Sequence, residues 1–234
     1  MTRADWRCHD HPGAFAEAVA ADVSAVVRRS ADERGESLLA LPGGGTPRPI
    51  FRKLAAAALP WEAVTLIPTD ERLVEAGSEL SNTRLLEESF AGTGARVASI
   101  AGGETDVESA GDLADAHLQQ LPWPPALVWL GMGEDGHTAS IFVGPDLQAA
   151  LNAPATRRAV GVRPDPLPPE APVARVTLTK SAIAAATALI VTITGEKKRA
   201  LLERALAEGS ASDLPIGRVL ADRPQSLTIH WCSA

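Results

Sequence analysis

Long apolar runs are absent from this 234-residue chain. None approaches the ~20 residues that a membrane-crossing helix requires, and the opening MTRADWRCHDHPG lacks the apolar core of a secretory signal, so the sequence reads as cytoplasmic, with no membrane role. Cysteine is scarce. Cys8 and Cys232 stand at opposite ends of the chain and suggest neither a disulfide framework nor a CxxC metal site. Basic runs are missing too, and with a formal net charge of -7 the chain is a poor match for nucleic acid or an anionic membrane surface. An anionic ligand would therefore have to be met by specific local cations. No Gly-Lys-Ser/Thr follows the first glycine cluster, which removes support for nucleotide triphosphate hydrolysis, and no G-x-S-x-G elbow raises Ser140 or any other serine as a nucleophile. Internal repeats are absent, and the only compositional bias is a richness in alanine.

What is present centres on Leu127 to Phe142, LVWLGMGEDGHTASIF. Leu127, Val128, Trp129 and Leu130 form the short apolar run of a strand buried on both faces. The loop behind it, Gly131 to His137, holds three glycines, two acids and a histidine. Glycines at that density let a backbone turn sharply and approach a ligand closely. In an open parallel sheet this loop leaves at the carboxyl end of its strand, where ligands bind. Gly131, Gly133 and Gly136 also satisfy G-x-G-x-x-G, but the copy lies past mid-chain and a Gly144-Pro145 break follows soon after, which argues against dinucleotide binding.

The rest of the chain alternates short apolar strands with helical stretches, and at 45% hydrophobic content it can fill one α/β domain spanning residues 1–234. Pro12 to Arg29 reads as an amphipathic helix capped by Asp10. Ser37 to Leu41 reads as a strand running into Pro42-Gly43-Gly44-Gly45-Thr46-Pro47, with Thr46 as cap and Pro47 as first residue of a helix to about Leu59. Strand, glycine loop and helix start make a natural anion site through free N–H groups and the helix dipole. Ala63 to Ile67 is the next strand, ending at Asp70-Glu71-Arg72, which is either a charged turn in solvent or a cluster in the same crevice. A helix capped at Ser81-Asn82, a strand from Arg96 to Ile100 and a helix from Asp106 to Leu121 follow, the last with His117 on its solvated face.

Proline-rich residues 152–172 read as a surface excursion. Beyond them come strands at Ala174 to Leu178 and Leu189 to Ile193, a helix between them starting near Thr179, a helix opened by Gly195-Glu196-Lys197-Lys198, a short helix from Leu214 to Leu220 and a strand from Ser226 to Trp231. A lysine at a helix start is opposed by the dipole, so Lys197 or Lys198 invites a functional explanation. His9 and His11, flanking Asp10, read as part of a disordered terminus rather than a metal cluster, and His230 as a structural residue.

In combination, LPGGGTP, TDER with a later SN, GMGEDGHTASIF, RVTLT and GEKK, in this order across nearly the whole chain, resemble the 6-phosphogluconolactonases. The resemblance implies a modified doubly wound, mostly parallel sheet with helices on both faces, shared with glucosamine-6-phosphate deaminase. It also implies hydrolysis of 6-phosphoglucono-δ-lactone in the oxidative pentose phosphate pathway without metal or cofactor. Carried over by motif, the catalytic histidine falls on His137, the acid on Asp70 and the arginine on Arg72, while the phosphate loop falls on Gly43, Gly44, Gly45 and Thr46. Lys198 matches the lysine of a Gly-x-x-Lys motif, and Arg175 the arginine opening the RVTLT-like strand. Leu73-Val74-Glu75 replaces the Val-Pro common after Asp-Glu-Arg, and the ending His-Trp-Cys-Ser-Ala is also unlike many members.

Ester hydrolysis needs an activated water, a stabilised oxyanion and a proton for the leaving ring oxygen. Histidine, with its ordinary pKa of ~6.5, can accept and return that proton. His137 is the expected base, Asp135 or Asp70 either orients it or binds substrate hydroxyls, and N–H groups around Gly133 are candidate oxyanion donors. The expected partner is a small phosphorylated sugar lactone, and a monomer is the favoured assembly. A deaminase of the same superfamily is the rival enzyme, but it carries a glutamate shortly after its DGH, and residues 138–144 hold no acid here. A non-catalytic sugar-phosphate sensor is the other rival, and the intact His137 argues against it.

Overall fold

Short runs rich in leucine, isoleucine and valine pair into a parallel sheet, and the alanine-rich stretches between them cover it as helices. The computed structural model describes residues 4–75, 77–102 and 106–233. In chain order the elements are β1 (Ala4–His9), α1 (Pro12–Arg34), β2 (Ser37–Leu41), α2 (Arg48–Ala55), β3 (Val64–Pro68), β4 (Asp70–Arg72), α3 (Asn82–Ser89), β5 (Arg96–Val97) and α4 (Val107–Gln119). They continue with β6 (Leu127–Leu130), α5 (Leu147–Leu151), β7 (Ala159–Val162), β8 (Arg175–Leu178), α6 (Lys180–Ala184), β9 (Ala188–Thr194), α7 (Glu196–Glu208), α8 (Pro215–Leu220) and β10 (Leu227–Cys232).

Seven strands form one sheet in the order β1-β10-β9-β6-β2-β3-β5, with every neighbouring pair parallel. From β2 the chain steps outward to β3 and β5, and from β6 it steps the other way to β9 and β10. The loops after β2 and β6 therefore diverge from adjacent strands, which is where an α/β sheet opens a crevice for ligand. β6 is buried on both faces as its sequence implies. Leu127 and Trp129 pack with α1 and α2, while Val128 and Leu130 pack on the face covered by α4, α7 and α8. Fully buried Trp129 satisfies its indole by donating to Thr192 Oγ1 at 2.9 Å. Among the described residues no helix is long and apolar enough to cross a membrane.

Several local expectations fail for identifiable reasons. His11, not Asp10, caps α1, its ring nitrogen accepting from Ala14 N at 3.1 Å, and the helix runs past Arg29 to Arg34 before Gly35 ends it. Thr46 does not cap α2. Pro47 already has helical angles, Arg48 N donates to Gly45 O at 3.3 Å, and α2 stops at Ala55 rather than Leu59. β5 is only Arg96–Val97. The excursion at 152–172 contains strand β7, which joins β4 and β8 in a second, antiparallel sheet of order β4-β8-β7. Gly161 hid that strand from the pattern. It has no side chain because α4 lies against it, and a Cβ there would sit 1.8 Å from Val107 O.

The residues before α1 are likewise not a disordered terminus but the edge strand β1, held against β10. His9 Nε2 lies 3.0 Å from His230 Nδ1, His230 Nε2 lies 2.9 Å from Asp22 Oδ2 in α1, and Arg7 pairs with the same carboxylate. His230 is thus the satisfied structural residue expected.

Candidate active site

The loops after β2 and β6 wall a cavity of about 260 Å³, completed by β4, β8 and the start of α7. Gly43, Gly44, Gly45, Thr46, Asp70, Arg72, Gly133, His137, Arg175 and Lys198 all line it. Asp135 does not line it, but it holds the residue that does.

The glycine loop is shaped by its neighbour. Gly43 lies so close to Asn82 that a Cβ would fall 2.0 Å from Asn82 Oδ1. Asn82 is placed by donating its amide to Asp70 O at 2.7 Å, and by its position at the first turn of α3, where Ser81 caps the helix by accepting from Arg84 N. Beneath that turn sits Glu71, only 2% exposed, whose carboxylate accepts from Asn82 N at 2.8 Å, Thr83 N at 2.6 Å and Ser81 Oγ at 3.1 Å. A buried carboxylate at a helix N-terminus is compensated by the orphan N–H groups and the dipole. Asp70-Glu71-Arg72 is therefore not a solvated turn. It is a short strand whose middle residue pins α3 and whose flanking residues face the cleft.

Arg72 and Arg175 are direct partners in the antiparallel β4–β8 ladder. Arg72 donates to Leu80 O at 2.6 Å, and Arg175 donates to Ala171 O at 3.2 Å and to Ser140 Oγ at 3.4 Å. The Nε of each is buried without a partner. Burial, at 2% exposure, and the neighbouring Arg72 push the Arg175 guanidinium below its usual range, against the opposing pull of Asp70. Asp70, 6% exposed, accepts from Ser140 Oγ at 2.6 Å and from Thr69 Oγ1 at 3.3 Å. Ser140 thus serves as a bridge between Asp70 and Arg175.

On the β6 loop, His137 Nδ1 is 2.5 Å from Asp135 Oδ1, and the same oxygen accepts from His137 N at 3.1 Å. Of the two acids left open by the sequence, Asp135 is the one that orients the imidazole. Burial raises the Asp135 pKa, but hydrogen bonding to the ring of His137, its charge and two backbone donors outweigh this and hold the carboxyl below its ordinary value. With Nδ1 taken, Nε2 is the nitrogen left for chemistry.

Gly136, at φ 79°, makes the turn that brings His137 back over Gly133. Of the N–H groups around Gly133, that of Gly133 itself is already used, donating to His137 O at 2.9 Å. Gly133 matters for what it lacks: a Cβ would lie 2.2 Å from His137 Nδ1. The G-x-G-x-x-G glycines close this turn and lead to no helix before α5, which removes the dipole a dinucleotide fingerprint uses.

The two lysines of α7 divide their roles. Lys197 forms an exposed pair with Glu134 at 2.6 Å, whereas Lys198 lines the cleft and donates to Met132 O at 2.8 Å. Sequence reading missed Asn82 as a wall of the site, noting it as a capping residue and as part of the later SN motif, and gave no signal for Thr194 or Glu170, which line the cleft from β9 and from the proline-rich segment. Among the described residues no group of three or more His, Cys, Asp or Glu side chains is placed to hold a metal ion.

Chemically, the cleft sets a carboxylate-held imidazole opposite two arginines, a lysine and a glycine loop. Such an arrangement can receive an anionic end of a small molecule and remove a proton at the other. Comparison with known proteins agrees. The sequence model of the family described as Glucosamine-6-phosphate isomerases/6-phosphogluconolactonase matches residues 10–231. A 6-phosphogluconolactonase of Rhizobium meliloti is 34% identical over 232 residues, covering 97% of this chain and 98% of its own. One of Mesorhizobium japonicum is 36% identical over 233 residues, with 97% and 94% covered. The crystal structure of a 6-phosphogluconolactonase from Shewanella baltica superposes with a TM-score of 0.89 at 30% identity, covering 98% of each chain. With fold, cleft and sequence in agreement over nearly its whole length, this chain belongs to the glucosamine-6-phosphate isomerase/6-phosphogluconolactonase family.

Proposed function

We propose that this chain hydrolyses 6-phospho-D-glucono-1,5-lactone to 6-phosphogluconate, the lactonase step of the oxidative pentose phosphate pathway, and that residues 1–234 act as one catalytic domain. The observation that carries the reading is that one cleft holds both the Asp135-bound His137 and the basic group formed by Arg72, Arg175 and Lys198.

In the proposed reaction His137 Nε2 takes a proton from water as the oxygen attacks the lactone carbonyl. Asp135 stabilises the imidazolium that forms. Collapse of the tetrahedral intermediate breaks the bond to the ring oxygen, which leaves with the proton returned by His137, and the product acid ionises to a carboxylate. The phosphate is remote from the reacting carbonyl. Its contacts with the glycine loop, Arg72, Arg175 and Lys198 hold the ring in place rather than perform chemistry. Asp70, aimed by its hydrogen bonds from Ser140 and Thr69, is the acceptor for a sugar hydroxyl.

The test is a coupled assay with freshly generated 6-phosphogluconolactone, corrected for spontaneous opening, beside unphosphorylated gluconolactone. The phosphorylated lactone is expected to be strongly preferred, and His137→Ala to lower kcat about a thousandfold with the fold intact. Equal turnover of the two lactones, or a His137→Ala variant with unchanged kcat, overturns the proposal.

A further inference from the structure

Phe142 is the aromatic residue of the central motif that the proposed chemistry leaves without a task. Its ring stacks on the imidazole of His137 with centroids 4.1 Å apart and planes inclined at 27°. The guanidinium carbon of Arg175 lies over the same ring, 5.1 Å from its centroid. Phe142 does not line the cleft that holds the glycine loop. It lines the adjacent groove, which it shares with Asp135, His137 and Glu170. The ring therefore meets the imidazole from outside the substrate cleft.

The imidazole is otherwise held at its edge. Asp135 fixes Nδ1, which sets one direction in the ring plane but leaves rotation about that hydrogen bond open. A second contact on the ring face removes that rotation. An aromatic face also attracts a cation through its quadrupole. A general base becomes a cation as it takes the proton from water, so a face-on aromatic favours the form that the reaction generates. The chain places this ring by a tight turn. Thr138 and Ile141 form an isolated bridge, Ile141 N donates to Thr138 O at 2.9 Å, and Thr138 Oγ1 donates to Gly131 O at 2.8 Å, so Phe142 folds back over His137 five residues after it.

From this geometry we infer that Phe142 is a positioning residue for the reaction: it holds the imidazole of His137 face-on, stabilises it once protonated, and ties its orientation to that of Arg175. The inference rests on the assignment of His137 as base. It goes further in giving the aromatic residue of the motif a kinetic role without substrate contact.

The experiment compares Phe142→Leu with Phe142→Tyr, beside His137→Ala, in kcat, KM and thermal melting. Phe142 is half-buried, so the leucine variant is expected to fold. Phe142→Leu should lower kcat on the order of tenfold while KM stays within about twofold, because a ring face is lost and no substrate contact is. Phe142→Tyr keeps the ring and should restore kcat to near the wild-type value. Should leucine lower the melting temperature substantially, Phe142→Met offers a flexible side chain of similar reach without a ring, and the same loss of kcat is expected. Wild-type kcat in the leucine or methionine variant overturns the inference, as does a tyrosine variant no better than leucine. If His137→Ala is inactive while Phe142→Leu is not impaired, only the role of Phe142 falls. If His137→Ala keeps full turnover, the base assignment itself falls.

Discussion

Arg72 and Arg175 face each other across the β4–β8 ladder, two guanidinium side chains at one register position. Like charges placed directly opposite on a sheet repel, and here each also keeps a buried Nε unpaired. The pair is an arrangement that an anion would relieve. Inorganic phosphate, or 6-phosphogluconate, at about a hundred times its Kd should therefore stabilise the protein by about 2.7 kcal/mol, a rise in Tm of roughly 5–10 °C for a chain of this size. Arg175→Met should abolish most of that rise. A melting curve indifferent to phosphate in the wild type would remove the anion from the account.

The lysines of α7 give a matched contrast. Lys198→Ala takes a cation from the cleft and should raise KM for the phosphorylated lactone by about ten- to a hundredfold with kcat little changed. Lys197→Ala breaks only the exposed pair with Glu134 and should leave kinetics and melting at wild-type values. Steady-state kinetics on the two variants decides the matter, and equal defects would mean that the cation at the cleft is not what counts.

Two glycines of the loop after β2 separate shape from ligand approach. Gly43→Ala forces a Cβ onto Asn82 and should cost about 1–3 kcal/mol as well as activity. Gly45→Ala meets no protein atom within 4 Å, so it should melt with the wild type. If phosphate does sit against the backbone there, KM should nonetheless climb. A Gly45→Ala enzyme with unaltered KM would move the phosphate away from this loop.

Acid should weaken the fold through His230. Burial, opposed by Asp22 and reinforced by His9 and Arg7, lowers its pKa to about 4, while an unfolded histidine titrates near ~6.5. The unfolded chain thus binds the extra proton between those values. The neutral His230 contributes its full stability above pH ~6.5 and loses it as pH falls toward ~4, a change of about 3 kcal/mol. The lowered pKa of His9, also due first to burial, works in the same direction. Denaturant midpoints across this range should fall less steeply in His230→Gln than in the wild type, and parallel slopes would assign the acid sensitivity elsewhere.

The sequence made the parallel sheet and the cleft readable because both rest on local signals. Strand runs such as Leu127 to Leu130 and the glycine loops after β2 and β6 are contiguous, and the topology of a parallel sheet then brings their ends together. What stayed hidden depends on contacts between distant segments. β1 has no apolar pattern of its own, since its burial alternates between intermediate and exposed, and only β10 gives it a reason to be extended. β7 is short and contains a glycine dictated by α4. Gly133 illustrates the subtler failure. A glycine in the loop that carries His137 suggests a free N–H, but the turn consumes that donor, and the missing side chain is what leaves room for the imidazole. Asn82 could be read as a helix start but not as a wall of the cleft, because its partner Gly43 lies on another strand's loop.

The pairing of β1 with β10 has a further consequence for how the molecule is made. Ala4 pairs with Leu227 and His9 with Cys232, so this edge is closed by two segments with almost the whole chain between them, and closing so long a loop is slow. During synthesis β1 emerges long before β10 and has no sheet to join, leaving the α1 face that later receives His230 uncovered. The outer edge can therefore close only once the last strand has been made, and a chain cut short before β10 would leave β1 without the neighbour that extends it.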